Sequence, residues 1–269
     1  MKGRAAILPL LLAGCAAPHT HVAGDGPPTI VSLNPCADAI LAEVAAPGQL
    51  LAISHYSHDP ASASMPQAQA HRFPATSGTV EEVLALGPDM VVGDMFLSPT
   101  VRAAYEREGI AVVTLPIAED VPQSLAQVRT IADAIGQSEN GEALVGEIEA
   151  AMTSSPQHGG EVPTLLWQAG GIVPGEATLA MQLLNHAGFA SQSAARGLGQ
   201  GAYLPLEEVL AEPPALVVAA GEERMLTHPA LRALDGTHYR SLDATLLFCG
   251  GPTIPRLLAR LGEIRSSLE

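Results

Sequence analysis

Basic side chains are scarce in this sequence. Thirteen lysines and arginines (13) stand against 28 aspartates and glutamates, for a formal net charge of -15. A surface so acidic repels polyanions, so nucleic acid is not an expected partner. Aromatic residues make up 3% of the chain and Trp167 is its single tryptophan, so stacking on a ligand must fall to a few identifiable rings. Beyond the N-terminus no segment approaches the roughly 18 uninterrupted apolar residues of a membrane-spanning helix. Motifs of hydrolytic chemistry are missing as well: there is no Gly-x-Ser-x-Gly elbow and no His-Glu-x-x-His helix. The glycine-rich stretch Gly197-Leu198-Gly199-Gln200-Gly201 is not a phosphate-binding fingerprint, because no lysine follows it and it does not link a strand directly to a helix. These absences argue against an enzyme, and no cofactor is expected.

What is present begins with an export signal. Lys2 and Arg4 precede a short apolar run from Ala5 to Leu12, too short to span a bilayer. Leu12-Ala13-Gly14-Cys15 follows and resembles the bacterial lipobox, in which cleavage leaves the cysteine as a lipid-modified N-terminus. Ordinary cleavage nearby, releasing a soluble protein, is the alternative. Both place the mature chain outside the cytoplasm, and lipid on Cys15 is then its membrane anchor. The aperiodic Gly, Pro, His and Thr that follow suit a flexible tether, closing a first segment at residues 1–28. In an oxidising compartment the two remaining cysteines, Cys36 and Cys249, admit three readings: unrelated thiols, a disulfide clamping two lobes, or soft ligands to a metal centre.

From residue 29 onward short β-branched runs alternate with helical patterns, which predicts an α/β fold of parallel sheets covered by helices. Strands are expected at 29–33, 50–53, 90–93, 111–114, 164–168, 216–219 and 245–248. Helices are expected at 36–44, 80–86, 99–108, 179–187, 206–211 and 252–267. Glu81-Glu82-Val83-Leu84-Ala85 recurs as Glu207-Glu208-Val209-Leu210-Ala211, followed at equal spacing by Pro88 or Pro214 and by Val91-Val92 or Val217-Val218, always offset by 126 residues (81 to 207). Helix-Pro-strand junctions recur in many α/β proteins, but two lobes built on similar halves explain this pattern better. The division is an N-terminal lobe at 29–120, a helical connector at 121–155 broken at Gly136, and a C-terminal lobe at 156–269. In the connector Leu144, Ile148 and Met152 share one helical face. A helical connector is stiffer than crossing strands, so limited lobe closure is expected.

Ile30-Val31-Ser32-Leu33-Asn34-Pro35 resembles the opening of the class III periplasmic solute-binding proteins, which serve ABC importers of iron-siderophores and cobalamin. The resemblance continues through Ser54-His55-Tyr56-Ser57, the helix and strand at 79–92, Gly109-Ile110-Ala111-Val112-Val113, Ala187-Gly188-Phe189 and residues 206–218. It spans nearly all of the chain after the tether. It implies two Rossmann-like lobes joined by a long helix, a ligand cleft between them, and a monomer that hands a metal chelate to the membrane subunits of an ABC permease. The cysteine pair departs from the pattern, since most relatives lack it. A bare metal-ion or haem receptor is the alternative function, and a chelate-processing enzyme the remote one.

Ligands of open α/β sheets lie beyond the carboxyl ends of the strands, and that rule selects the candidate contacts. Tyr56 follows the second predicted strand, where cobalamin-binding relatives place an aromatic contact, and its ring could stack on a flat chelate. His55 and His58 flank it and could instead hold a metal directly, although His-x-x-His in a loop is common by chance. Met95 and Phe96 follow the strand at 90–93, and Trp167 ends the strand at 164–168, where it is equally readable as a core residue. Tyr203 is the aromatic of the loop at 197–203. Cys36 and Cys249 each follow a strand and should project toward the cleft. Glu81 and Glu207 match the acidic positions with which this family meets arginines of the transporter, with helix capping as the plain reading of each and Glu82 and Glu208 as the neighbouring alternatives.

Overall fold

The computed structural model describes residues 26–155 and 161–268. The export signal, Cys15 and the tether up to residue 25 lie outside the described residues. The first half runs β1 (Ile30–Ser32), α1 (Pro35–Val44), β2 (Leu50–Ser54), α2 (Gln67–Ala70), β3 (Ala75–Thr76), α3 (Val80–Leu86), β4 (Met90–Asp94), α4 (Pro99–Arg107) and β5 (Ala111–Leu115). Two helices follow, α5 (Val121–Ala134) and α6 (Ser138–Ser154). The second half contains β6 (Val162–Gln168), β7 (Ile172–Val173), α7 (Leu179–His186), β8 (Phe189–Ser191), α8 (Gln192–Ala195), β9 (Ala202–Tyr203), α9 (Leu206–Ala211), β10 (Leu216–Ala220), α10 (Pro229–Arg232), β11 (His238–Leu242) and α11 (Thr253–Ser266).

The first sheet has the order β3-β2-β1-β4-β5 with every pairing parallel. The second runs β11-β10-β6-β7-β9, with β8 also paired to β6. Its centre is parallel, while the short β7 and β9 join it antiparallel. The internal repeat is visible here. α3 leads into β4, flanked by β1 and β5, as α9 leads into β10, flanked by β6 and β11.

Local chemistry sets the helix starts. Asn34 caps α1 by accepting from the backbone N–H groups of Cys36 and Ala37, with Pro35 pre-set for the first turn. Thr79 caps α3 by accepting from the Glu82 N–H, and Gly87 ends that helix in the left-handed region at φ 60°.

The connector is a helical hairpin, with α5 and α6 packed side by side around the turn at Gly136, rather than one unbroken helix. Gly141 lies so close to Ala132 that a side chain there would collide with its Cβ. As the shared helical face requires, Leu144 and Ile148 are buried and Met152 packs partly buried against the same core. At 1.5 Å per residue the 17 residues of α6 span roughly 25 Å. They contact α1 of the first half and α11 of the second.

This arrangement builds one apolar cluster across both halves, in which Ile40, Val128, Ile131, Ile148, Leu184 and Leu261 are all buried. Each such side chain contributes about 1.5–3 kcal/mol on burial. The outer faces of the sheets have separate cores, one around Val31, Val91 and Tyr105, the other around Leu165, Trp167 and Val217.

One expected strand is corrected. Residues 245–248 do not form one: Ala244–Leu247 is a 3-10 turn, in which Asp243 accepts from the N–H and hydroxyl of Thr245. The last strand is β11, a polar edge strand whose His-Tyr-Arg-Ser-Leu sequence hides its pairing with β10. Among the described residues no helix is long and apolar enough to cross a membrane.

Candidate functional site

The carboxyl ends of β1, β4, β5 and β6 open onto a cavity of about 850 Å³ between the two sheets. Its apolar wall includes Met95 and Phe96 after β4, Leu115 and Ile117 at the end of β5, and Leu179 and Phe248 from the second half. Several of these are exposed, Phe96 by 72% and Ile117 by 62%, so apolar surface is left open to water at the mouth. Between these groups stand carboxamides: Asn34, Gln127, Gln168 and Gln200. On the first-half side, Asp94 accepts from the Phe96 N–H at 2.8 Å and from the Asn34 side-chain amide at 3.3 Å, which ties the Phe96 loop to the α1 cap.

Cys36 and Cys249 both line this cavity, and their sulfurs are bonded to each other across 213 residues of sequence, with the Cα atoms 5.3 Å apart. Of the three readings open in the sequence, the structure takes the disulfide. That removes both thiolates as soft metal donors. Around the bond the two halves interlock. The Ser64 hydroxyl sits 2.9 Å from the Cys249 sulfur, the Gly251 N–H donates to Ser124 at 2.7 Å, and Arg256 donates to the Ser64 carbonyl at 3.2 Å. Gly250 is pressed against Ser124, where no side chain would fit.

Tyr56 is 52% exposed in the 3-10 turn His55–His58 that follows β2, with its ring 4.1 Å from that of His55. It stands at the strand-end rim of the first sheet and does not line the cavity. Neither does Tyr203, which is exposed and packs on Gly171 at the edge of the second sheet. His55 and His58, the histidines raised as metal ligands, each set one ring nitrogen beside backbone carbonyls. The His58 Nε2 lies 3.2 and 3.1 Å from the carbonyls of Ala70 and Phe73, His55 Nδ1 lies near the Thr76 carbonyl, and the rings serve the local fold. Among the described residues no group of three or more His, Cys, Asp or Glu could hold a metal ion.

Trp167 is also corrected as a cleft contact, because it is fully buried. Side chains alternate along β6, so Leu165 and Trp167 face the outer core while Leu166 faces the shared core and Gln168 reaches the cavity. The indole N–H donates to the Leu204 carbonyl at 3.0 Å. Gln168, one residue on, lines the cavity and was missed by sequence reading, along with Asn34, Asp94 and the 115–119 segment. The strand-end rule points to each of them.

Beneath the Tyr56 turn lies Asp38, fully buried in α1. One of its carboxylate oxygens accepts from the Ser54 N–H at 3.1 Å and the Ser57 hydroxyl at 2.6 Å, while the other has no partner. Burial pushes its pKa from the ordinary 3.8 to about 7, with the nearby Ser32 hydroxyl and the hydrogen bonds from Ser57 and Ser54 pulling only partly against it.

Glu81 and Glu82 divide their roles. The Glu82 carboxylate accepts from the Ser77 N–H and hydroxyl and from Thr76 at 2.8, 2.8 and 2.9 Å, and those bonds, Ser77 first, hold its pKa low. Glu81 is exposed and makes no side-chain hydrogen bond among the described residues, and the same holds for Glu207.

Residues 30–237 match the sequence profile described as periplasmic binding protein. The chain belongs to that family. Solved structures share the fold of this binding protein at low identity. The periplasmic heme-binding protein RhuT from Roseiflexus sp. RS-1 superposes with a TM-score of 0.70 at 20% identity, covering 90% of this chain and 98% of that one. A periplasmic heme-binding protein from Pseudomonas aeruginosa gives 0.64 at 24% identity, covering 88% and 92%. The vitamin B12-binding protein BtuF of Vibrio cholerae gives 0.61 at 17% identity, covering 90% and 97%. No curated protein matches the chain.

The buried acid gives the binding protein a pH signature. The folded state holds the Asp38 proton up to about pH 7, whereas the unfolded chain releases it near 3.8. The folded state therefore binds more protons between those limits, and stability falls as pH rises through them, by roughly 2–4 kcal/mol. Urea unfolding from pH 4 to 7 should show this decline, and Asp38→Asn should flatten it.

Proposed function

We propose that this protein is the extracytoplasmic binding component of an ABC importer, capturing a metal chelate in the cleft and delivering it to the permease without altering it. The observation that carries the reading is the cavity of about 850 Å³ at the strand ends of two sheets, walled by exposed Phe96, Ile117 and Phe248 and backed by carboxamides. A site of that size, apolar with a few polar groups, suits a bulky flat ligand better than a bare ion. Capture then consists of covering apolar faces of the chelate while Gln168 and Gln200 offer hydrogen bonds at its edge. Tyr56, on the turn after the second strand, would stack on the ligand as it enters. Named functions of the relatives, heme and vitamin B12 binding, fall in the same chemical class.

Delivery would use Glu81 and Glu207. They occupy equivalent places in the two halves, and because Glu82 serves the local cap, Glu81 is left available for charge-assisted bonds with arginines of the two membrane subunits. Cys15 would tether a single copy of the protein to the membrane by lipid.

Native mass spectrometry after exposure to a mixture of corrinoids, haem and ferric siderophores tests the capture step. One retained chelate per protein is expected, and a spectrum with no chelate or only a bare metal ion contradicts the reading. For delivery, Glu81→Ala with Glu207→Ala should lower uptake into cells by about tenfold or more while chelate binding stays intact. Undiminished uptake would remove the docking role.

A further inference from the structure

We propose that the cleft is a charge filter, accepting chelates whose periphery is uncharged or cationic and rejecting those that carry carboxylates. The inference rests on the chelate-receptor reading and narrows it by ligand chemistry.

Among the described residues, every ionisable side chain on the cavity wall is acidic: Asp94 and Glu119 line it, and no lysine, arginine or histidine does. The basic groups nearest in topology are engaged elsewhere or stand outside the wall. Arg102 donates to Thr114, which alternation along β5 puts on the sheet face opposite Leu115. Arg256 is turned to the Ser64 carbonyl behind the disulfide. Arg224 follows β10 directly after Glu222 and Glu223, and is not part of the wall.

A carboxylate brought into such a cleft loses water and finds no cation, while the apolar walls strengthen its repulsion from Asp94 and Glu119. The polar groups that are available match the opposite chemistry. Carboxamides both donate and accept, and so pair with amides or hydroxyls at a ligand's edge. The side chains of Gln168 and Gln200 make no hydrogen bond among the described residues, which leaves both for a ligand.

The test compares ligands that share a ring and differ only in charge. Binding of dicyanocobinamide, with amide side chains, is measured against dicyanocobyrinic acid, which has carboxylates in their place. Haem with both propionates amidated is measured against haem itself. Equilibrium dialysis with absorbance detection at fixed ionic strength reads all four. The amide form of at least one pair should bind about tenfold or more tightly than its carboxylate form, and Glu119→Arg should narrow that gap. Carboxylate forms that bind as tightly as their amide partners, or more tightly, overturn the filter and leave the receptor reading standing. Binding of none of the four overturns the filter and the flat-chelate receptor together.

Discussion

Where the two halves meet, a covalent bond and an apolar seam act together. The Cys36–Cys249 disulfide joins the first turn of α1 to the turn before α11, closing a loop of 213 residues. By chain-entropy reasoning a loop of that length restricts the unfolded state by on the order of 5 kcal/mol. Behind it, α1, α5, α6, α7 and α11 share one core, so the second half does not hang from a single strand of chain. The cleft is therefore defined on three sides before any ligand arrives: by the strand ends of each sheet and by the bonded sulfurs between them. Closure of one half on the other is restricted at its base, and adjustment is left to the exposed rim at Phe96, Ile117 and Tyr56.

Such a site gains affinity by preorganisation rather than by folding around its ligand. The polar chain from the α1 cap through Asn34 and Asp94 to the Phe96 N–H is one expression of this, because it ties the loop that carries an exposed aromatic to the helix that carries Cys36. Asp38 is another. It is buried at a cost that the neighbouring serines only partly offset, and it braces the turn that presents Tyr56. A stabilising apolar residue there could not hold the Ser54 N–H and Ser57 hydroxyl. Positioning of the rim is bought with stability at neutral pH.

Much of the fold was legible because its central elements carry strong local signals. α3 with β4 and α9 with β10 repeat one pattern of acidic start, proline and paired valines, and the structure sets them in equivalent places in the two sheets. What escaped reading did so for physical reasons. β3, β7 and β9 are two residues each, too short for any periodicity to register. β6 is buried on both faces, so Leu165-Leu166-Trp167-Gln168 offers no polar alternation to tell which side meets the ligand, and Trp167 was as credible there as Gln168. Asn34 caps α1, but its second bond, to Asp94, depends on β1 and β4 lying side by side, which no local pattern shows. The cysteine pairing is of the same kind, since no local pattern connects positions 36 and 249.

The measurement that tests the account most directly is non-reducing peptide mapping of the protein purified from its oxidising compartment, after alkylation under denaturing conditions. A single cross-linked peptide pair containing Cys36 and Cys249, separated and alkylated only after reduction, is the predicted result. Alkylation of both thiols without reductant would contradict the covalent seam and the preset cleft built on it.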